Sequence, residues 1–322
     1  MNRRMIINSV GLVLRVEAAL LLLPAAVGML YGEKQTLIAF LISAAISLLL
    51  GLLPKLFLKP KTHVIYAKEG FIIVAFTWIM LSLVGAVPLV LAGAVTSYAD
   101  AFFEIVSGFT TTGSSVIPDV EVLSHGALFW RSFTHWVGGM GIIVFVMAIL
   151  PNVSERPIHI LRAEIPGPTV GKLVPRIKDT ALILYLIYIV MTVIETVMLL
   201  FGGMSFFESL LHTFGTAGTG GFGLKRDSLA SYSPYIQWVI TAFMILFGVN
   251  FNLYYLMLLK KFKAVVTSTE LWAYFGIILS SAALIAWNIR HLFVGTEQTV
   301  RTAAFQVASV ISTTGYATAD FN

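Results

Sequence analysis

The residues best placed to do chemistry are threonines and glycines in three short runs. The first closes Tyr98–Ser115, YADAFFEIVSGFTTTGSS. The second closes Ser205–Gly223, SFFESLLHTFGTAGTGGFG, and the third closes Thr299–Thr318, TVRTAAFQVASVISTTGYAT. Glycine admits backbone dihedrals closed to other residues, so a glycine-containing loop can turn several carbonyls toward one centre. Threonine adds a hydroxyl oxygen at the same level. A Thr-Thr-Gly run therefore offers a ladder of oxygens that can replace the water shell of a cation. The residues that would line such a path are Thr111, Thr112 and Gly113, with Thr110 just below, and Thr313, Thr314 and Gly315. The second run, GTAGTGGFG, departs from Thr-Thr-Gly. Aligning Gly221 before Phe222 with Gly315 before Tyr316 puts Thr219 and Gly220 on the path. A one-residue shift makes Gly220 the key glycine and brings in Gly218. The sequence leaves both registers open.

Other reactive groups are sparse. Cysteine is absent, which excludes a disulfide framework and a thiolate nucleophile or metal site. His135 and His212 lie on apolar segments and read as core histidines; no His/Asp/Glu cluster has metal-ligand spacing, and no nucleophile–base set appears. The chain is therefore read as a non-enzyme. Glu104 and Glu208 are expected near the outer starts of their short helices, where a carboxylate complements the helix dipole. Asp119 and Glu121 follow the first run and read as a solvated loop. Glu195 is the one acid inside its apolar stretch, which makes it a functional suspect with packing as the equal alternative. Asn250 and Asn252 are two apart and cannot share a helix face, so at most one would face a pore. Gly138, Gly139 and Gly141 lie in a charge-free apolar run and read as a close helix contact rather than a nucleotide loop.

The elements that must position these runs follow from composition. Of 322 residues 58% are hydrophobic and only 11% charged, and the mean hydropathy is +0.89. Soluble domains carry about 25% charged residues. So few charges cannot cover a soluble surface, and disorder is excluded by the same numbers. A membrane-crossing helix needs roughly 20 apolar residues. Seven stretches qualify: 5–31, 36–53, 71–94, 132–153, 181–203, 234–259 and 271–289. With the N-terminus in the cytoplasm, fourteen of the 21 Lys and Arg residues fall in inside loops and six outside. This matches the positive-inside rule at every loop. The three Thr/Gly runs then share the outer side, each after a short apolar helix too brief to cross. Phe102-Phe103-Glu104 recurs as Phe206-Phe207-Glu208, with Ala304-Phe305-Gln306 in the third segment. The repeating unit is span, short helix, Thr/Gly loop and span, at a period of about 100 residues. A short helix that enters the membrane and turns back is tolerated only where its loop is buried in protein or lines a water-filled path.

The strings AFFEIVSGFTTTGSS, HWVGGMGIIVFVMAILP, RAEIPGPTVGKLVPRIKDTA, LLHTFGTAGTGGFG, GVNFNLYYL and STTGYATADF resemble the Trk/Ktr/HKT superfamily of potassium-transporting membrane subunits, most closely its bacterial TrkH/TrkG branch. They cover about two thirds of the chain with order and spacing kept. The resemblance implies an all-α polytopic membrane protein with pseudo-fourfold, potassium-channel-like repeats around a pore. Here it implies seven transmembrane helices plus three re-entrant pore helices. Mapped onto this chain, residues 1–68 are two leading helices, 69–151 pore repeat one, 152–179 a cytoplasmic loop, 180–261 repeat two and 270–322 a partial repeat three. The second helix of repeat three and all of repeat four are expected to be missing. The implied activity is potassium uptake across a bacterial inner membrane, with K⁺ at the Thr/Gly residues as the transported ion and no organic cofactor.

The family also implies a homodimer seated on a soluble nucleotide-binding regulator of the TrkA kind. Arg162, Lys172, Arg176 and Lys178 in the charged loop are the candidate contacts, with a basic anchor at anionic lipid headgroups as the equal alternative. Nucleic acid is not implied. A secondary cation transporter with broken helices would call for inverted repeats, whereas these repeats are parallel. A non-conducting truncated subunit is the other alternative.

Overall fold

The computed structural model describes residues 2–58, 67–141, 177–293 and 295–319. Among them all regular structure is helical. The chain divides into two compact units, Met1–Thr110 with Ser114–Tyr185, and Thr111–Gly113 with Leu186–Asn322. The first Thr/Gly run thus belongs with the second unit, although both of its flanks belong to the first.

In the first unit, α1 (Arg3–Leu20) and α2 (Leu22–Leu30) are followed by α3 (Lys34–Phe57), α4 (Ala67–Leu91), α5 (Tyr98–Phe109) and α6 (His125–Gly139). The single span expected over 5–31 is interrupted at Leu21. Pro24 has no N–H, so the Leu20 carbonyl loses its partner one turn on. The two pieces still make a 28-residue apolar stretch. α1 and α3 cross at glycines: a Cβ on Gly51 would fall 2.6 Å from the Gly11 carbonyl oxygen. Small residues let membrane helices approach this closely. Glu17 is fully buried in α1 and accepts a hydrogen bond from the Ser47 hydroxyl of α3 at 2.9 Å.

α6 starts seven residues before the expected 132–153 span because two groups cap it. Ser124 accepts from the Ala127 N–H, and the Glu33 carboxylate accepts from the N–H groups of His125 and Gly126 at 2.7 and 3.2 Å. Negative charge at a helix N-terminus is favourable. Trp130 donates from Nε1 to the Gly85 carbonyl at 2.9 Å and meets Phe109 edge-on at 6.0 Å, so α4, α5 and α6 share one seam. Residues 142–153 of that stretch lie outside the described residues.

α7 (Ile177–Phe201) runs out of the first unit into the second, which continues as α8 (Phe206–Ala217), α9 (Pro234–Gly248), α10 (Phe251–Leu258), α11 (Phe262–Val266), α12 (Thr269–Ile289) and α13 (Thr296–Ile311). The continuous span expected over 234–259 is broken, with an 85° bend between α9 and α10. A break frees carbonyls that then need other donors. Here the Tyr274 hydroxyl donates to the Ile245 carbonyl at 3.0 Å and the Tyr254 hydroxyl to the Leu246 carbonyl at 2.7 Å. The Asn250 side chain accepts from the Asn252 N–H at 3.0 Å and donates to Glu270 at 3.1 Å. Asn250 is therefore a helix cap, where the sequence left open a pore-facing role for one of the two asparagines. Among the described residues five helices are long and apolar enough to cross a membrane, against the seven spans expected; the bent pair would make a sixth.

Candidate functional site

The three Thr/Gly runs emerge from the C-termini of α5, α8 and α13 in the same way. The cap residues Thr110, Gly218 and Ser312 each donate an N–H to the carbonyl four residues back, at 2.9, 3.0 and 3.0 Å. The next residue in each is a threonine in the left-handed region: Thr111 at φ 54°, Thr219 at 52° and Thr313 at 60°. Two residues later stands a glycine with positive φ: Gly113 at 77°, Gly221 at 71° and Gly315 at 86°. Loops two and three also share their hydrogen bonds. Gly220 and Gly221 both donate to the Gly215 carbonyl, as Thr314 and Gly315 do to that of Ser309. By backbone conformation Gly221, not Gly220, is the counterpart of Gly113 and Gly315. Positive φ in a β-branched residue is a genuine outlier, sustained only where the surroundings over-determine it, and such outliers cluster at ligand sites.

The runs meet backbone to backbone within the second unit. A Cβ on Gly113 would fall 1.9 Å from the Gly220 carbonyl oxygen, and a Cβ on Gly221 would fall 1.9 Å from that of Thr314. At Gly315 nothing described lies within 4 Å. Dihedral angle and space therefore both demand glycine at the first two positions. Several of the hydroxyls in and beside the runs are already engaged. Thr110 donates its hydroxyl to the Val106 carbonyl at 2.7 Å, and Thr313 donates to Ser312 O at 2.6 Å. Thr314 is paired with the Ser312 hydroxyl at 2.7 Å.

Side chains hold the runs from behind. Ser309 donates to the Tyr316 carbonyl at 2.7 Å. The Tyr316 hydroxyl, one residue past Gly315, reaches the carbonyls of His212 at 3.2 Å and Phe222 at 3.4 Å. In the first unit Glu104 is fully buried and gathers four donors. Arg131 pairs with it at 2.6 Å through its terminal nitrogen and at 2.7 Å through Nε. The Ser115 hydroxyl and the Val116 N–H complete the set at 2.9 and 3.1 Å. The segment that leaves the first run is thus anchored to the middle of α5 and to α6.

This geometry corrects the reading of the two glutamates. Glu208 does sit at the start of its helix, where it forms a capping box with Ser205. Glu104 lies mid-helix and is buried. Counting back from the loop glycines, Glu104, His212 and Gln306 are equivalent, each nine residues earlier. The second Phe-Phe-Glu string is therefore one helical turn out of step with the first. His212 is fully buried as expected, its Nε2 3.2 Å from the Tyr232 hydroxyl, which donates in turn to Glu208 at 3.2 Å. His135 is buried in α6. Asp119 accepts the Glu121 N–H within a local turn. The sequence reading gave no structural duty to Arg131, Tyr232 or Tyr316, and Arg131 stood only among the six basic residues placed outside. Its signal was a lone charge inside the apolar run FWRSFTHW. Arg162, Lys172 and Arg176 lie outside the described residues, and Lys178 falls in the first turn of α7.

With three matched oxygen-rich loops in place, comparison with known proteins decides the family. The model of TrkH, a cation transport protein, matches residues 36–275. The chain belongs to the TrkH family. The Trk system potassium uptake protein TrkH of Escherichia coli strain K12 is 32% identical across 99% of this chain and 67% of its own length. TrkG of the same organism is 29% identical across 99% of the chain and 66% of its length. The crystal structure of the potassium transporter TrkH from Vibrio parahaemolyticus aligns with a TM-score of 0.86 at 29% identity, covering 99% of this chain and 66% of that one. This TrkH-family chain thus spans about two thirds of the length of these relatives, and the all-helical architecture implied by the sequence is theirs.

Proposed function

We propose that the chain is a pore-forming membrane subunit of a Trk-type potassium uptake system, acting in a bacterial inner membrane with its N-terminus in the cytoplasm. The observation that carries this reading is the shared backbone of the three runs, each with a left-handed threonine and a positive-φ glycine, packed loop against loop. Such loops bring backbone carbonyls within reach of one dehydrated cation. Thr111, Thr112 and Gly113, then Thr219, Gly220 and Gly221, then Thr313, Thr314 and Gly315 form three positions of the ring, with Thr110 and Gly218 as the caps beneath. Repeats 69–151, 180–261 and 270–322 each supply one loop. Ion flux through the intact transporter in vesicles tests the reading. Potassium should carry the flux and Gly221→Ala should abolish it; equal sodium flux, or no effect of the substitution, overturns it.

In the same reading the subunit is a homodimer, and the loop over 152–179 receives a cytoplasmic nucleotide-binding regulator through Arg162, Lys172, Arg176 and Lys178. The name shared by the relatives, Trk system, supports an assembly of several components. Charge reversal at Arg176 and Lys178 should abolish regulator capture; unchanged capture sinks the docking role.

A further inference from the structure

Glu195 has no part in the pathway described so far. It lies in α7, is fully buried, and neither carboxyl oxygen has a hydrogen-bond partner in the structure. The Thr216 hydroxyl, on the last turn of α8, is near enough to act on it without closing a hydrogen bond of normal length. Tyr188 and Tyr316 are also within its electrostatic reach, and among the described residues no cationic group acts on it. The neighbouring pair Thr196 and Thr213, hydroxyl to hydroxyl at 3.2 Å, fixes α7 against α8 at this level. An ionised carboxylate without a counter-charge, sealed from water, is strongly disfavoured. A neutral carboxylic acid costs far less and supplies one O–H donor.

That donor fits what lies beside it. The Thr216 hydroxyl gives its own proton to the His212 carbonyl at 2.9 Å, which leaves its oxygen able to accept. The same His212 carbonyl receives the Tyr316 hydroxyl at 3.2 Å, and that hydroxyl also reaches the Phe222 carbonyl. Phe222 follows Gly221 and Tyr316 follows Gly315. We propose that Glu195 is a positioning residue that carries a proton: its O–H donates to Thr216 and completes a chain, Glu195 to Thr216 to the His212 carbonyl, shared with Tyr316, that seats loops two and three from behind and so sets their ion preference.

This rests on the potassium-pathway reading, and the test separates the two. Infrared difference spectra of the intact protein at neutral pH, parent against Glu195→Gln, should show loss of the carbonyl stretch of a protonated carboxyl. That arm needs no transport. Potassium against sodium flux should be unchanged in Glu195→Gln, which still donates. It should fall roughly fivefold to tenfold in Glu195→Ala and in Thr216→Val, about the worth of one hydrogen bond. The double variant should be no worse than either single one. An ionised carboxylate in the spectrum overturns the proposal, as does a Glu195→Gln variant as impaired as Glu195→Ala. Full ion preference in Thr216→Val does the same, and this variant serves if Glu195→Ala fails to fold. If the parent itself shows no potassium preference, the pathway reading fails and with it the ion-preference part, while the spectrum still decides whether Glu195 holds a proton.

Discussion

Glu104 and Arg131 illustrate how much one buried pair can hold in place. Both side chains are sealed from solvent, so removing one leaves the other charged and unpaired. Arg131→Met and Glu104→Gln should each cost about 3–5 kcal/mol, while the double variant should recover a large part of that loss. Thermal unfolding in detergent for the four proteins of the cycle measures it; additive losses would contradict the pairing. His212 makes a second, pH-dependent case. Burial pushes its imidazole down from 6.5 to about 4, with the Lys225 charge adding to the effect and the Glu208 charge opposing it. The native state favours the neutral ring while the unfolded chain takes up its proton near 6.5, so this contribution is complete above that pH and is lost as pH falls toward 4. His212→Gln should flatten the acid limb of a stability–pH curve and leave the neutral limb in place. At this scale the sequence was readable where residue type carries the backbone conformation, as with Gly113 and Gly315, both at positive φ. It was not readable at Arg131, because the partner that makes an arginine tolerable in an apolar run lies 27 positions away, on another helix.

At the scale of elements, apolar length predicted the spans and local chemistry decided where they stop. Pro24 interrupts the first, and the pair of helices joined through Val249 and Asn250 turns by 85° with its freed carbonyls served by two tyrosines. Neither tyrosine sits at a spacing that announces this duty. Tyr274→Phe leaves the Ile245 carbonyl without that donor and should cost about 1–3 kcal/mol in thermal stability, with no loss of apolar packing. The crossing of α1 and α3 is tighter still. A methyl group at Gly51 meets the Gly11 carbonyl at 2.6 Å, a backbone atom that cannot swing aside. Gly51→Ala should therefore destabilise the protein by about 1–3 kcal/mol, read in the same melts, whereas Gly276→Ala, where nothing lies within 4 Å, should be close to neutral. The repeated Phe-Phe-Glu string is the instructive failure. Identical tripeptides suggested identical places, yet the loop glycines put them one turn apart. A helix fixes its register at the end that does the work, and that end is the Thr/Gly loop.

Across the whole molecule the loops belong together more than the helices that deliver them. Thr111–Gly113 joins the second compact unit while its flanking residues belong to the first. Substitutions at the glycines should rank accordingly. Gly113→Ala and Gly221→Ala combine a strained φ with a backbone oxygen at 1.9 Å, while Gly315→Ala carries the φ strain alone. Potassium flux should be lost in the first two and reduced in the third; equal damage in all three would show that spacing between loops is unimportant. The same contacts tie all three loops together. The first loop's glycine looks at the second loop's middle carbonyl, and the second loop's glycine looks at the third's. A Cβ at Gly113 would also come within 3.8 Å of the Thr314 carbonyl oxygen, so the first loop meets the third directly. Each contact pushes equally on both of its members, so no loop can shift without the other two making room, and a substitution accepted in one should change what the others accept.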